Sequence, residues 1–440
     1  MKFNLIDTKL KIFTCLMGLF FFVSSCGEVQ KVFITDKDIV FEQGSPIPGN
    51  GKMDDCEVKQ YYIPDTNNMD HTPMRYVRVN FHYFIHPKDL HPMNEDLAIQ
   101  FTNEILKTSN YKLSLNAKMN LPVGNKTPVI PIRYRYVLAG ENENDNGIYV
   151  HLTEEDEMAY YNNTGKKKNM FSQDVFKRYG VRKNEVLNIF FFSHPPDSIN
   201  AKKKYNMKSQ GVGFNYFVKM GLPIKEFIQK GSDGLIKMHA ASQAGLLNHE
   251  IGHSLGLAHT WNSEDGCEDT PKHPNCWNRT KSPPCNIAAS NNMMDYNATK
   301  AALTPCQISK VMYNMATDRR SQRNLLDPRW CNFDPSKFIR IAPYEVVEWK
   351  SSRDLEGDII IEEGAELHIS CTVSMPKGAK IVVKPGGILN IKGGMITNLC
   401  GDRWEGVLLY KNKKQKGTVI VSNDGSLQNM VHKVDYLPTE

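Results

Sequence analysis

Residues 249–259 read HEIGHSLGLAH, which sets His249, Glu250, His253, Gly256 and His259 in one short stretch. On an α-helix His249 and His253 stack one turn apart on the same face, so both imidazoles can reach a single cation. Glu250 lies beside them on that turn. Leu247, Ile251 and Leu255 repeat at the same interval but about 200° around the helix, which gives it a separate apolar face for packing. Gly256 takes positive φ without strain, so the helix can stop and the chain can swing His259 back toward the first two histidines. The spacing predicts a helix over 239–255 with one face that packs and one that binds metal. An inert amphipathic helix has no need of a glycine between histidines.

Outward from this helix the pattern is that of a mixed α+β chain. YVRVNFHYFI (76–85), VIPIRYRYVL (129–138), VLNIFFFS (186–193) and GVGFNYF (211–217) read as strands. NEDLAIQFTNEILKTSN (94–110) and TPCQISKVMYNMATDRRSQ (304–322) have helical spacing, the second through Ile308, Val311, Met312 and Met315. Beyond residue 350 the units EEGAELHI, PKGAKIVV and PGGILNI are imperfect copies of one strand-turn repeat. Such repeats stack to share a core, as a β-solenoid or a small β-sandwich. The expected divisions are residues 1–25 a signal peptide, 26–72 a tether or pro-like segment, 73–325 the mixed domain, 326–350 a connector and 351–440 an all-β accessory domain.

Lys2, Lys9 and Lys11 precede the apolar run IFTCLMGLFFFV (12–23), which is too short to span a membrane and has the form of an export signal. It closes on Val23-Ser24-Ser25-Cys26. This resembles the lipobox of bacterial lipoproteins, which implies cleavage before Cys26, lipid on its thiol, and a membrane partner reached through lipid. Gly27 stands where an inner-membrane retention signal would place aspartate, so the expected location is the outer membrane or cell surface, with periplasm or secretion as alternatives. The first 25 residues hold +2 of the formal charge of +6, and the remaining +4 is too small to imply nucleic acid. Eight cysteines follow Cys26, an even number that in an exported chain reads as disulfides. Cys267, Cys276, Cys285 and Cys306 fall together after the third histidine, and the absence of a CxxC pair argues against a second zinc there.

The HExxHxxGxxH form, followed by HTW and by NNMMDY at 291–296, resembles the pappalysin-like branch of the metzincin metalloproteases over roughly residues 74–320. GCEDTP and TPCQ add to the likeness. It implies a two-lobed zinc endopeptidase acting on protein or peptide substrates. His249, His253 and His259 would be the Zn²⁺ ligands and Glu250 the general base, with Gly256 shaping the turn and Met294 beneath the metal. Tyr296, the last residue of N-x-M-x-Y, is a candidate to bind zinc or the developing oxyanion, or else a packed tyrosine. The resemblance favours Cys267 with Cys285 and Cys276 with Cys306. It also admits Ca²⁺ near Asp265, Glu268 and Asp269. Cys56 lacks the flanking residues of a latency cysteine and is expected in a disulfide. The rival reading is a surface adhesion or binding protein that acts through its β-rich tail, with a vestigial protease domain; an intact set of His, Glu, Gly, Met and Tyr argues against it.

Overall fold

The structure, a computed structural model, describes residues 29–42, 55–89, 92–163, 168–195, 208–224, 228, 233–261, 265–317, 320–422 and 425–434. The signal segment 1–25 and Cys26 lie outside the described residues. No helix among those described is long and apolar enough to cross a membrane.

Two short strands, β1 (Gln30–Phe33) and β2 (Ile39–Glu42), come first and belong to the C-terminal domain. The mixed domain is built on β3 (Arg75–Ile85), β4 (Tyr134–Leu138), β5 (Ile148–Leu152), β6 (Leu187–Ser193), β7 (Gln210–Gly213) and β8 (Phe217–Leu222). Their order is β4-β3-β6-β8-β7, with β5 beside the second half of β3. All pairs are parallel except β7 with β8, which leaves β7 as an antiparallel edge. The expected strand at 129–138 begins only at Tyr134, since Pro131 has no N–H to give a ladder.

A parallel sheet needs cover on both faces. On one face Val77, Val79, Phe81, Tyr83, Leu187, Ile189 and Phe191 pack under α1 (Glu95–Leu115) and the motif helix. On the other Phe84, Phe190, Phe192 and Phe217 meet Tyr161 and Val175, near α2 (Asp156–Ala159) and α3 (Asp174–Tyr179). The motif helix α4 runs Asp233–Ser254; Leu247, Ile251 and, just past its end, Leu255 are buried as the sequence predicts, and Ala240 and Ala244 extend that face. Helix α5 (Pro305–Ala316) starts with a Thr304–Gln307 capping box and buries Ile308, Val311, Met312 and Met315. It ends at Ala316, and α6 (Ser321–Asn324) follows as a separate turn.

The C-terminal domain is a parallel β-solenoid of four coils, so the sandwich alternative falls away. The coils are β9 (Ile339–Ile341), β10 (Val346–Trp349) and β11 (Arg353–Asp354); β12 (Ile359–Ile361), β13 (Glu366–Ile369) and β14 (Thr372–Ser374); β15 (Lys380–Val383), β16 (Ile388–Lys392) and β17 (Met395–Thr397); and β18 (Gly406–Lys411), β19 (Thr418–Ser422) and β20 (Ser426–Leu427). Each coil gives one strand to each of three sheets. Ile339, Ile359, Ile381 and Val407 stack inward along one sheet, and Leu367, Leu389 and Val419 along another.

Two expected divisions are corrected. The connector 326–350 already contains β9 and β10, so the first coil starts at Ile339. The described residues of the expected tether, 29–42 and 55–72, pack against the two domains instead. Strand β1 pairs antiparallel with β18 and β2 pairs parallel with β19, which covers two of the last coil's three strand edges. The outer side chains Val32, Val40 and Phe41 stay exposed, so the segment shows no buried pattern in sequence. After the undescribed stretch 43–54, Tyr62 packs edge-on against Tyr313 of α5 at 5.2 Å.

The two domains meet through buried polar contacts and two disulfides. Asp354 of β11 accepts from Arg75 at 3.2 Å and from both terminal nitrogens of Arg323 at 2.8 and 2.7 Å. Cys331–Cys400 joins the segment after α6 to the solenoid, and Cys56–Cys371 ties down the N-terminal segment, which bears out the disulfide expected for Cys56. In the loop after α4 the pairs are Cys267–Cys306 and Cys276–Cys285, the reverse of the pairing favoured by resemblance. The physical reason is local. Asp269 accepts from Thr304 Oγ1 at 2.7 Å and from the Cys306 N–H at 3.0 Å, which brings the start of α5 against Cys267. The loop 276–285 then closes on itself.

Candidate active site

Helix α4 ends where Gly256 takes φ +96°. Asn314 of α5 donates to the Leu255 carbonyl at 2.9 Å, and its amide occupies the place a Cβ on Gly256 would need. A side chain there would be both strained and obstructed. Beyond the turn, His259 returns to α4. Its Nε2 lies 3.2 Å from His249 Nε2 and 3.0 Å from His253 Nε2.

Three ring nitrogens this close need explaining. His249 Nδ1 is 2.8 Å from the Met293 carbonyl and His253 Nδ1 is 2.9 Å from the Leu257 carbonyl. A carbonyl can only accept, so both Nδ1 atoms carry the proton and both Nε2 atoms present lone pairs. Burial holds all three imidazoles below their ordinary range, His249 well below it and His259 at about 4, so they stand neutral. Lone pairs converging in a desolvated site are stable with a cation among them. Tetrahedral zinc with bonds near 2.0–2.1 Å sets its nitrogens about 3.3 Å apart, close to the spacings here. The donor set fits zinc.

Glu250 is buried on the same turn. Without a cation on the histidines, burial pushes its carboxyl up to about 8, offset in part by Lys300 through space and by a hydrogen bond from the Gly213 backbone; a cation there would favour the ionised carboxylate. Edge strand β7 lies directly on this turn. A Cβ on Gly211 would fall 2.5 Å from Glu250 Cγ, and one on Gly213 would fall 2.2 Å from the Glu250 carbonyl oxygen. The two glycines of GVG therefore let the strand cross the helix at backbone contact.

Beneath the histidines runs the NNMMDY turn. Met293 and Met294 are fully buried, and Met294 Sδ packs where Gly252 lacks a side chain. Asn292 accepts from the Met294 N–H at 2.8 Å and donates to Gln307 at 2.8 Å, which pins the turn to α5. Asp295 accepts from Ser290 at 2.6 Å, Thr260 at 2.5 Å and His273 at 2.9 Å. Burial alone would raise its carboxyl, but these donors hold it below the usual range. Since Thr260 follows His259 directly, this network fixes the third histidine's loop to the turn. Tyr296 is half exposed, with its ring 5.0 Å from His259 and 4.3 Å from Trp261.

All the sequence-predicted residues of the metal set thus come together. Asp265, Glu268 and Asp269 do not. Asp265 accepts from the Cys267 N–H and Thr270, Asp269 from Thr304 and Cys306, and among the described residues no trio of carboxylates lies close enough to share a calcium ion. The sequence reading missed Lys300, Gly213 and the His273–Asp295 pair. A lysine or histidine in a loop reads as solvated, and only GVG held a signal, as paired glycines inside a strand mark close backbone approach.

Fold and site together define a metallopeptidase: three convergent imidazoles, a buried carboxylate beside them, and a methionine turn below. Residues 229–316 match the family described as pregnancy-associated plasma protein-A. Over that stretch the chain is similar to a metallopeptidase family, and that likeness implies a metal and peptide substrates. Among solved structures, mirolysin in complex with a compound aligns at 16% identity and TM-score 0.40, covering 58% of this chain and 96% of that one. Mature mirolysin of Tannerella forsythia with a cleaved peptide aligns at 17% identity and TM-score 0.38, again over 58% and 96%. A promirolysin mutant of that organism aligns at 16% and 0.34, over 60% and 85%. No curated protein matches the chain.

Proposed function

We propose that the chain is a zinc endopeptidase with Zn²⁺ on His249, His253 and His259 and Glu250 as general base. The convergence of the three Nε2 lone pairs, two of them fixed by carbonyls on Nδ1, carries this reading. When bound, zinc supplies a Lewis acid that polarises the peptide carbonyl and brings the pKa of a water toward about 7. Glu250 takes the proton of the attacking water on its carboxylate and returns it to the departing amine nitrogen. The Gly213 hydrogen bond and the overlying β7 backbone hold that carboxylate in place and shield it from solvent. Met294 and Asp295 keep the histidine cluster rigid from below, and Tyr296 stands at its open side, where a phenol can donate to a developing oxyanion.

The proposal extends to location. A basic and apolar leader closing on VSSC supports export with lipid on Cys26, placing the protein at an outer membrane or cell surface. Four residues later, Gln30 already belongs to the cap of the solenoid. An anchor on Cys26 would therefore hold the solenoid's last coil near the lipid.

Zinc stoichiometry tests the ligand set. The purified full chain is expected to hold one zinc by elemental analysis. His259→Ala should lower the affinity by orders of magnitude while circular dichroism stays unchanged. A full zinc complement in that variant would remove His259 from the set.

A further inference from the structure

A cleft of about 840 Å³ opens beside Glu250 and His249. Its walls come from α1, α4, β7 and the chain from Tyr296 to Lys300. The ionisable side chains that line it are Lys112, Lys208, Lys300, His249, Glu250 and Tyr296. Among the described residues Glu250 is thus the one carboxylate that lines it, and the proposed mechanism occupies it.

Lys300 is the unusual member. It is 7% exposed and adopts φ +39°, held by Asn297, whose side chain accepts from its backbone N–H at 2.6 Å. Its ammonium donates to the Asn297 carbonyl at 2.7 Å and sits 5.2 Å over the Trp277 ring. Among the described residues no carboxylate lies within ion-pair distance of it. Burial pulls its pKa down to about 8, opposed by Glu250 and Asp295 through space. Asp295 is already held by Ser290, Thr260 and His273. A buried cation without an ion-pair partner leaves its charge poorly compensated. An arriving carboxylate would supply the missing partner through a charge-assisted hydrogen bond, and an arriving ammonium or guanidinium would be repelled.

The cleft also has a direction. It borders Glu250 and His249, not His253 or His259. Glu250 returns its proton to the departing amine, so the part of the substrate on the C-terminal side of the scissile bond lies on the Glu250 side of the metal site. We infer that this cleft receives an aspartate or glutamate side chain from the residue that follows the scissile bond, with Lys300 as the specificity-determining residue. The inference rests on the peptidase reading and adds a substrate class to it: peptides and proteins cut before acidic residues.

Three quenched fluorescent peptides that differ only in carrying Glu, Gln or Lys after the scissile bond test it with the full chain, with cleavage sites confirmed by mass spectrometry. The wild type should show kcat/KM about tenfold or more higher for Glu than for Gln, with Lys the slowest. Lys300→Met should bring the Glu-to-Gln ratio toward one, and Lys300→Glu should invert the order in favour of Lys. Binding of the uncleaved peptides to Glu250→Ala, followed by anisotropy, should give the same order, a readout independent of turnover. If either Lys300 variant fails to fold, the wild-type order and the Glu250→Ala affinities still decide. Equal hydrolysis of all three peptides, or a preference for Lys, overturns the inference and leaves the peptidase intact. Absence of hydrolysis of any peptide by the zinc-loaded chain overturns the peptidase reading, and the inference falls with it.

Discussion

Glu250→Gln should give a folded, metal-binding chain that hydrolyses peptides about 10²–10⁴-fold more slowly, with the loss in kcat. Glutamine has the shape of glutamate and keeps a carbonyl oxygen to accept from the Gly213 backbone. The contact between α4 and β7, set by the two glycines against Glu250, should therefore persist. What the amide cannot do is accept a proton from water and return it to the amine. Zinc content equal to wild type with collapsed turnover identifies Glu250 as the base. Turnover within a few fold of wild type would assign that role to another group.

The second large effect lies away from the site. Asp354→Asn should destabilise the chain by about 3–5 kcal/mol in denaturant unfolding. Asp354 is 2% exposed and its carboxylate is shared by two guanidiniums, Arg75 at the start of β3 and Arg323 in α6. Both cations also lie over Trp330, at 5.4 and 5.2 Å. An amide would leave two positive charges facing each other where water cannot reach them. Arg75 and Arg323 belong to the peptidase domain and Asp354 to the first solenoid coil. The variant should accordingly unfold in two steps, the domains still linked through Cys331–Cys400 and Cys56–Cys371. A midpoint change worth less than about 1 kcal/mol would show that the two disulfides hold the interface without this ion pair.

The legible parts of the chain were those with a period. Helix α4 could be read because its apolar and histidine faces both follow helical spacing, and the metal set because Gly256 has a defined conformational task. The solenoid was legible as a repeat. The parts that escaped had their signal masked. In β8, FVKMGL is fully buried, but Lys219 interrupts its apolar run; its ammonium donates to the Asn169 and Ser172 carbonyls, so a charge sits in the sheet with its donors satisfied. The expected single strand at 211–217 is instead β7 and the start of β8 on either side of a turn. Strands β1 and β2 have weak patterns because each buries little beyond its backbone. The loop disulfides depended on Asp269 reaching the first turn of α5, a contact 37 residues apart in sequence. Lys300 escaped for a different reason. Its burial depends on Trp277 and Asn297, which are brought beside it by a loop without regular structure.

The most direct measurement of the central claim is hydrolysis of a casein or peptide substrate by the full chain before chelation, after removal of metal, and after return of one equivalent of zinc. Activity that disappears on chelation, returns with stoichiometric zinc and does not return in Glu250→Gln is the predicted result. Cleavage that survives complete metal removal, or a zinc-loaded wild type that cleaves nothing, would contradict it.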